Sequence, residues 1–328
     1  MILSSATQLD TPFKKDVFEG LTSEPKYLYS KYIYDQAGDK LFQDIMALPE
    51  YYLTNCELEI LTLHTKAIAN LFKGDANGFD LIELGAGDGK KTKVLLHHLS
   101  KNQIEFTYKP IDISENAIDG LTRTLAKEIP EVNVDGETGE YFEVLERLQN
   151  FKSRKKVIMV LGSNIGNLLH PRAIQFLTKL GETMSRDDIL FMGFDQKKDP
   201  QTILDAYNDP TGVTAAFNKN LLVRINRELE GNFDISKFKH WEVYDPETGT
   251  AKSYLVATEA QRVRLETLDL DISFDAWETI HTEISQKYTD KIVAWLAEAS
   301  GLRIETSFTD SHNYYKNYAF KKMKDPKA

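Results

Sequence analysis

The stretch LIELGAGDGKKT, residues 81–92, decides the fold. An apolar run ends in three closely spaced glycines, Gly85, Gly87 and Gly89, and passes at once into a helical pattern. Glycines at such a strand-to-helix turn remove side chains, so backbone N–H groups and the helix N-terminus can approach a polar ligand. The next apolar run, FTYKPIDIS (106–114), reaches Asp112, an acid placed to accept from both hydroxyls of a ribose. Together they predict a nucleotide-type cofactor site. The spacing is GxGxG preceded by Glu83, not the dinucleotide GxGxxG, which moves the expectation from NAD to S-adenosylmethionine.

Outward from this loop, short β-rich apolar runs recur at 81–84, 106–111, 157–161 and 189–194, separated by helical patterns such as KTKVLLHHL and AIQFLTKLGETM. Strand and helix alternate as in βαβ units. Each run is apolar throughout instead of alternating, as suits parallel strands buried on both faces. Residues 60–195 therefore read as a doubly wound α/β core, with ligands expected beyond the carboxyl ends of its strands, where GAGDGKK, DIS and GSNIGN lie. After FDQKKDP (194–200) the character changes. A helix-rich stretch, TILDAYNDPTGVTAAFNKNLLVRINREL, gives way to HWEVYDPETGTAKSYLVATE, whose DPETG is a turn between antiparallel strands. The last helix, TDKIVAWLAEASGL, opens on Thr289 and Asp290 as caps and ends near Gly301. The sequence beyond it is expected to rejoin the core sheet as an antiparallel edge. The expected domains are a core of 56–195 plus 286–328 and an inserted α+β substrate-binding lobe of 1–55 plus 196–285.

At 328 residues and 41% hydrophobic, the chain is long enough for a sizeable core. A formal net charge of −10 argues against nonspecific affinity for nucleic acid, which needs a clustered basic surface. The single cysteine, Cys56, excludes an internal disulfide, and no Cys/His cluster has zinc-ligand spacing, so no metal is expected. The N-terminus lacks a basic-then-apolar leader, and no apolar run reaches the ~18 residues of a membrane span. A cytoplasmic monomer acting on a small molecule is expected, without a nucleic-acid or membrane partner.

The pattern ExGxGxG followed by an acid one strand later resembles the class I S-adenosylmethionine-dependent methyltransferases, with their Rossmann-like core. Four more segments narrow the resemblance: YDQAGDKLFQDIMALPEYYLTNCE (34–57), LGSNIGNL (161–168), AYNDPTGVTAAFNKNLL (206–222) and IHTEIS (280–285). They look like the histidine N-alpha-methyltransferase family of ergothioneine biosynthesis, over about residues 28–320. The signature is also similar to that of fungal enzymes methylating prenylated tryptophan.

The resemblance implies that Tyr34, Gly85, Lys91 and Asp112 lie on the cofactor, with Gly139, Glu140 and Tyr141 near its adenine. It maps the substrate side to Tyr51, Asn167, Tyr207, Ser253, Glu283 and Ser285, with Asn167 and Tyr51 in the catalytic role. Lys91, on the first helical turn, can pair with the methionine carboxylate. Asn167 can orient the substrate amine, or it caps the next helix. The Tyr51 and Tyr207 phenols can hydrogen-bond a carboxylate, or they are packing residues. Residues 279–285 alternate as a strand, placing His281, Glu283 and Ser285 on one face. A carboxylate beside a hydroxyl satisfies both nitrogens of a neutral imidazole, and a solvated polar stripe has the same spacing. His281 reads as structural. At Ser253, bacterial histidine-specific relatives carry a methionine, so a smaller residue here widens the side-chain pocket or holds a water. The implied reaction is methylation of the α-amine of L-histidine to the trimethylated betaine, hercynine. The alternatives are the same fold acting on another amino acid, such as tryptophan or a derivative, and a non-catalytic cofactor-binding sensor.

Overall fold

The structure is a computed structural model that describes residues 9–74, 77–113, 115–139, 143–144, 146 and 154–323. The chain divides into two compact units, Met1–Tyr52 with Lys198–Ser285 and Leu53–Lys197 with Gln286–Ala328.

The second unit is built on the strand Phe79–Leu84, buried at every position. A strand with no exposed face belongs in the middle of a covered sheet. Its sheet runs Leu302–Thr309, Tyr315–Lys322, Ile189–Asp195, Lys155–Val160, Phe79–Leu84, Phe106–Asp112, Asn133–Val134, with Glu137–Thr138 also beside Phe106–Asp112. From Ile189–Asp195 to Asn133–Val134 the pairings are parallel. The strand order reverses direction on either side of Phe79–Leu84, the switch point outside which a doubly wound sheet opens its ligand crevice. The helices His170–Thr183 and Asp290–Ala299 bury Leu177, Leu180, Val293 and Leu296 against Ile158, Leu190 and Met192 of the sheet. Thr289 caps the last helix by accepting from Ile292 N at 3.4 Å.

The tail rejoins the sheet as an antiparallel edge, as expected, and it does so with two strands. Tyr315–Lys322 is antiparallel to Ile189–Asp195, and Leu302–Thr309 pairs on its far side and takes the rim. Burial explains the order: Tyr315, Asn317, Tyr318, Ala319 and Phe320 are all buried, whereas in Leu302–Thr309 only Leu302 is, the rest being exposed or half-buried.

In the first unit a four-stranded sheet runs Lys26–Tyr27, Thr279–Gln286, Thr250–Ala257, Phe238–Asp245. Phe238, His240 and Glu242 are buried while Lys239, Trp241 and Val243 are exposed, so one face packs inward, against the helix Val213–Glu228. The DPETG turn forms as read: Gly249, at φ 77°, donates its N–H to Asp245 O at 2.7 Å, and Asp245 pairs with Thr250. Gln261–Leu265 and Leu270–Phe274 form a separate hairpin. Among the described residues no helix is long and apolar enough to cross a membrane.

Candidate active site

In the second unit the glycine loop takes backbone angles that favour glycine, with φ of 72°, 53° and 64° at Gly85, Gly87 and Gly89. Gly85 donates to Ile111 O at 2.8 Å. The N–H of Gly87 donates to Asp112 Oδ2 at 3.3 Å, and a Cβ added at Gly87 would meet nothing within 4 Å. Gly89 differs, because a Cβ there would fall 2.5 Å from Leu121 Cδ1, so that glycine serves packing. Gly139 donates its N–H to Asp112 O at 3.0 Å. Gly85, Gly87, Asp112 and Gly139 thus converge at the carboxyl ends of Phe79–Leu84 and Phe106–Asp112. Open backbone beside an acid fits a nucleoside with vicinal hydroxyls, as S-adenosylmethionine carries. Glu140 and Tyr141 lie outside the described residues.

Lys91 does not stand alone. Its Nζ lies 2.5 Å from Oε2 of Glu57, a carboxylate on the helix Tyr52–Leu63 with no solvent exposure. Beneath the loop Glu83 accepts from Thr92 Oγ1 at 2.7 Å and Tyr108 Oη at 2.5 Å. Burial pushes the Glu83 carboxyl up to about 7, against the pull of Tyr108, Thr92 and the Lys91 charge.

Asn167 is exposed in the 3-10 turn Asn164–Asn167, which follows the strand Lys155–Val160. It does not cap the next helix: His170–Thr183 has Leu169 at its N-cap and no side-chain cap bond. Gly162 at φ 79° and Ser163 at φ 58° shape the approach to this turn, and Ser163 Oγ accepts from Asp195 N at 3.1 Å.

A second group forms in the first unit. The Tyr34 ring packs edge-on against Phe42 and Phe217, with centroids 5.6 and 5.4 Å away. Tyr51 meets Phe42 at 6.3 Å and Tyr207 at 6.1 Å, and Tyr207 Oη lies 2.8 Å from Ser285 Oγ. Burial first, then the charge of Glu283, raises the Tyr34 phenol well above its usual range. Tyr34, placed on the cofactor by resemblance, therefore shares its surroundings with Tyr51, Tyr207 and Glu283. Ser253 is buried and donates to Glu242 Oε2 at 2.6 Å, so its hydroxyl is committed within the sheet. His281 packs on Tyr254 at 5.4 Å, and burial lowers its pKa.

Sequence reasoning missed Glu57 and Glu242. Glu57 left one signal: it sits among Leu53, Cys56, Ile60 and Leu61, in the apolar stripe of its helix, where a charge demands an explanation. As for metals, Glu59, Asp310 and His312 bring ligand atoms within 4.8 Å of one another. Both Asp310 oxygens already accept backbone amides, from Tyr315 at 2.7 Å and His312 at 2.8 Å, which gives that carboxylate a loop-holding role.

A doubly wound sheet with a reversed strand set inside its rim, a bare glycine loop at the switch point and an acid at the next strand end define a class I S-adenosylmethionine-dependent methyltransferase. The chain belongs to the family of histidine-specific, S-adenosylmethionine-dependent methyltransferases, which it matches over residues 13–322. It is 36% identical over 297 residues to a histidine N-alpha-methyltransferase of Mycobacterium tuberculosis, covering 90% of this chain and 91% of that one. It is 28% identical to ergothioneine biosynthesis protein 1 of Schizosaccharomyces pombe, over 90% of this chain and 39% of that longer one. An L-tryptophan methyltransferase of Psilocybe serbica is 27% identical, over 91% of this chain and 90% of its own length.

Proposed function

We propose that this methyltransferase modifies the α-amine of L-histidine in successive steps, ending at the trimethylated betaine hercynine, within ergothioneine biosynthesis. The observation that carries the reading is the family match over residues 13–322, together with 36% identity to a protein named for this reaction. A cytoplasmic monomer acting on free amino acid is part of the same reading.

In this proposal Asp112 and the backbone at Gly85 hold the nucleoside, Lys91 binds the methionine carboxylate, and Gly139 borders the adenine. Once bound, the cofactor supplies a methyl group on an electrophilic sulfonium. The protein then has to present the amine as a free base, aim its lone pair and exclude water. Asn167 and Tyr51 orient the amine. Tyr34 stays a phenol at neutral pH, since burial and Glu283 hold its proton on, so it contributes a hydroxyl donor and a wall and not a base. Glu283 and Ser285 bond the two imidazole nitrogens of the substrate, and Tyr207, already on Ser285, fixes that hydroxyl.

The second reading is tryptophan, favoured by the likeness to the Psilocybe serbica protein over 91% of this chain. Glu283 argues for histidine, because an indole offers one donor and no acceptor. Glu283→Ala should raise the KM for histidine about tenfold, as expected for a lost charge-assisted hydrogen bond, and leave S-adenosylhomocysteine affinity unchanged. An unchanged histidine KM would remove Glu283 from the substrate site, and parallel losses in both would mark a folding defect.

A further inference from the structure

We propose that Glu57 is the positioning residue of the cofactor site: it fixes the Lys91 ammonium for the cofactor's methionine carboxylate and ties the glycine loop to the turn that carries Asn167. The proposal rests on the role given above to Lys91.

A carboxylate with no exposure must be met by donors on both oxygens. Glu57 has four. Its Oε2 accepts from Lys91 Nζ at 2.5 Å and from the backbone N–H of Gly162 at 2.7 Å. Its Oε1 accepts from Asn317 Nδ2 at 2.8 Å and from Tyr315 Oη at 3.2 Å. These donors come from three places in the sequence: the residue that starts the helix after the glycine loop, the turn after Lys155–Val160, and the strand Tyr315–Lys322. The carboxylate therefore joins the two strand-end loops on either side of the switch point. Room for it is kept by Gly193, where a Cβ would fall 2.3 Å from Glu57 Oε1 and 2.2 Å from Tyr315 Oη.

Lys91 is held, yet not used up. An ammonium has three N–H donors, and the Lys91 side chain keeps 20% exposure while Glu57 has none. The ammonium is turned to the buried carboxylate on a side chain that stays partly open to solvent. A free lysine side chain would lose its rotamer freedom on meeting the cofactor carboxylate, and Glu57 imposes that order beforehand. Lys91 also lies close to the second loop, with its Nζ 3.5 Å from the position a Cβ would take at Gly162. Fixing Lys91 and fixing the Gly162 amide are thus done by the same oxygen.

The test compares two ligands by isothermal titration calorimetry. S-adenosylhomocysteine carries the amino-acid tail, and 5′-methylthioadenosine carries the nucleoside and thioether without it. Glu57→Gln, of nearly the same shape and uncharged, should weaken S-adenosylhomocysteine about tenfold and leave 5′-methylthioadenosine unchanged. Lys91→Met should lower the same affinity ratio, and in that background Glu57→Gln should add nothing further. Equal loss of both ligands in Glu57→Gln would overturn the proposal in favour of a purely structural carboxylate. An unchanged ratio in Glu57→Gln, with a lowered ratio in Lys91→Met, would overturn it and leave the Lys91 assignment standing. An unchanged ratio in Lys91→Met would overturn both. Should Glu57→Gln not fold, Glu57→Asp withdraws the charge by one methylene, and a ratio that stays at the wild-type value there would overturn the proposal equally.

Discussion

Asp112 has a double duty that its position in the sequence only half announces. Its side chain steadies the Gly87 amide and its carbonyl accepts from Gly139, so the acid expected on the ribose also shapes the loop around it. Gly85, Gly87 and Asp112 were legible because a glycine spacing and an acid at a strand end are local patterns. Glu57 was not, since its partners lie 34, 105, 258 and 260 positions away along the chain. Ser253 carries a bond to Glu242 that its reading from the sequence did not include. Replacing it by methionine removes the donor to Glu242 and adds bulk where the serine is only 3% exposed. Ser253→Met should therefore cost about 1–3 kcal/mol in urea unfolding. Unchanged stability with an altered ratio of activities among amino acids would instead favour Ser253 as part of the lining of the side-chain pocket.

Among the elements, the helix Val213–Glu228 starts under the control of Asp209, whose oxygens accept from Thr214 N at 2.7 Å and Val213 N at 3.1 Å. Burial alone would raise the Asp209 carboxyl, but the bonds from Thr211, Thr214 and Val213 outweigh it and hold the group at about 2, below its ordinary 3.8. A depressed folded pKa stabilises above the unfolded value, and that stabilisation is lost as pH falls through about 2. Asp209→Ala should cost about 2 kcal/mol near neutral pH. Its difference from the wild type should narrow as the pH drops from 3.8 towards 2, followed by urea unfolding, and a gap independent of pH would contradict the capping role. The elements themselves were well forecast where the signal is periodic or local. Unbroken apolar runs gave the parallel strands, and DPETG gave its turn. The order of the last two strands was not legible, because it depends on which strand buries both faces against helices supplied by distant sequence.

For the whole molecule, the chain leaves the sheet after Ile189–Asp195 and returns to it after residue 285, so the second unit is discontinuous in sequence. The change of composition at 194–200 marks the departure. Physics of the sheet defines the class of reaction through the loop at the switch point, but it does not define the acceptor, which the proposed function assigns to a few side chains of the first unit such as Glu283 and Ser285. The choice between histidine and another amino acid therefore has to be read from turnover. The measurement that tests it most directly is mass spectrometry of reactions containing the purified protein, S-adenosylmethionine and each of the twenty amino acids in turn. A histidine methyltransferase should yield a product from histidine alone, carrying three methyl groups, all on the α-nitrogen in the fragment spectrum. Methylation of tryptophan in preference to histidine, or cofactor binding with no turnover of any amino acid, would contradict that reading.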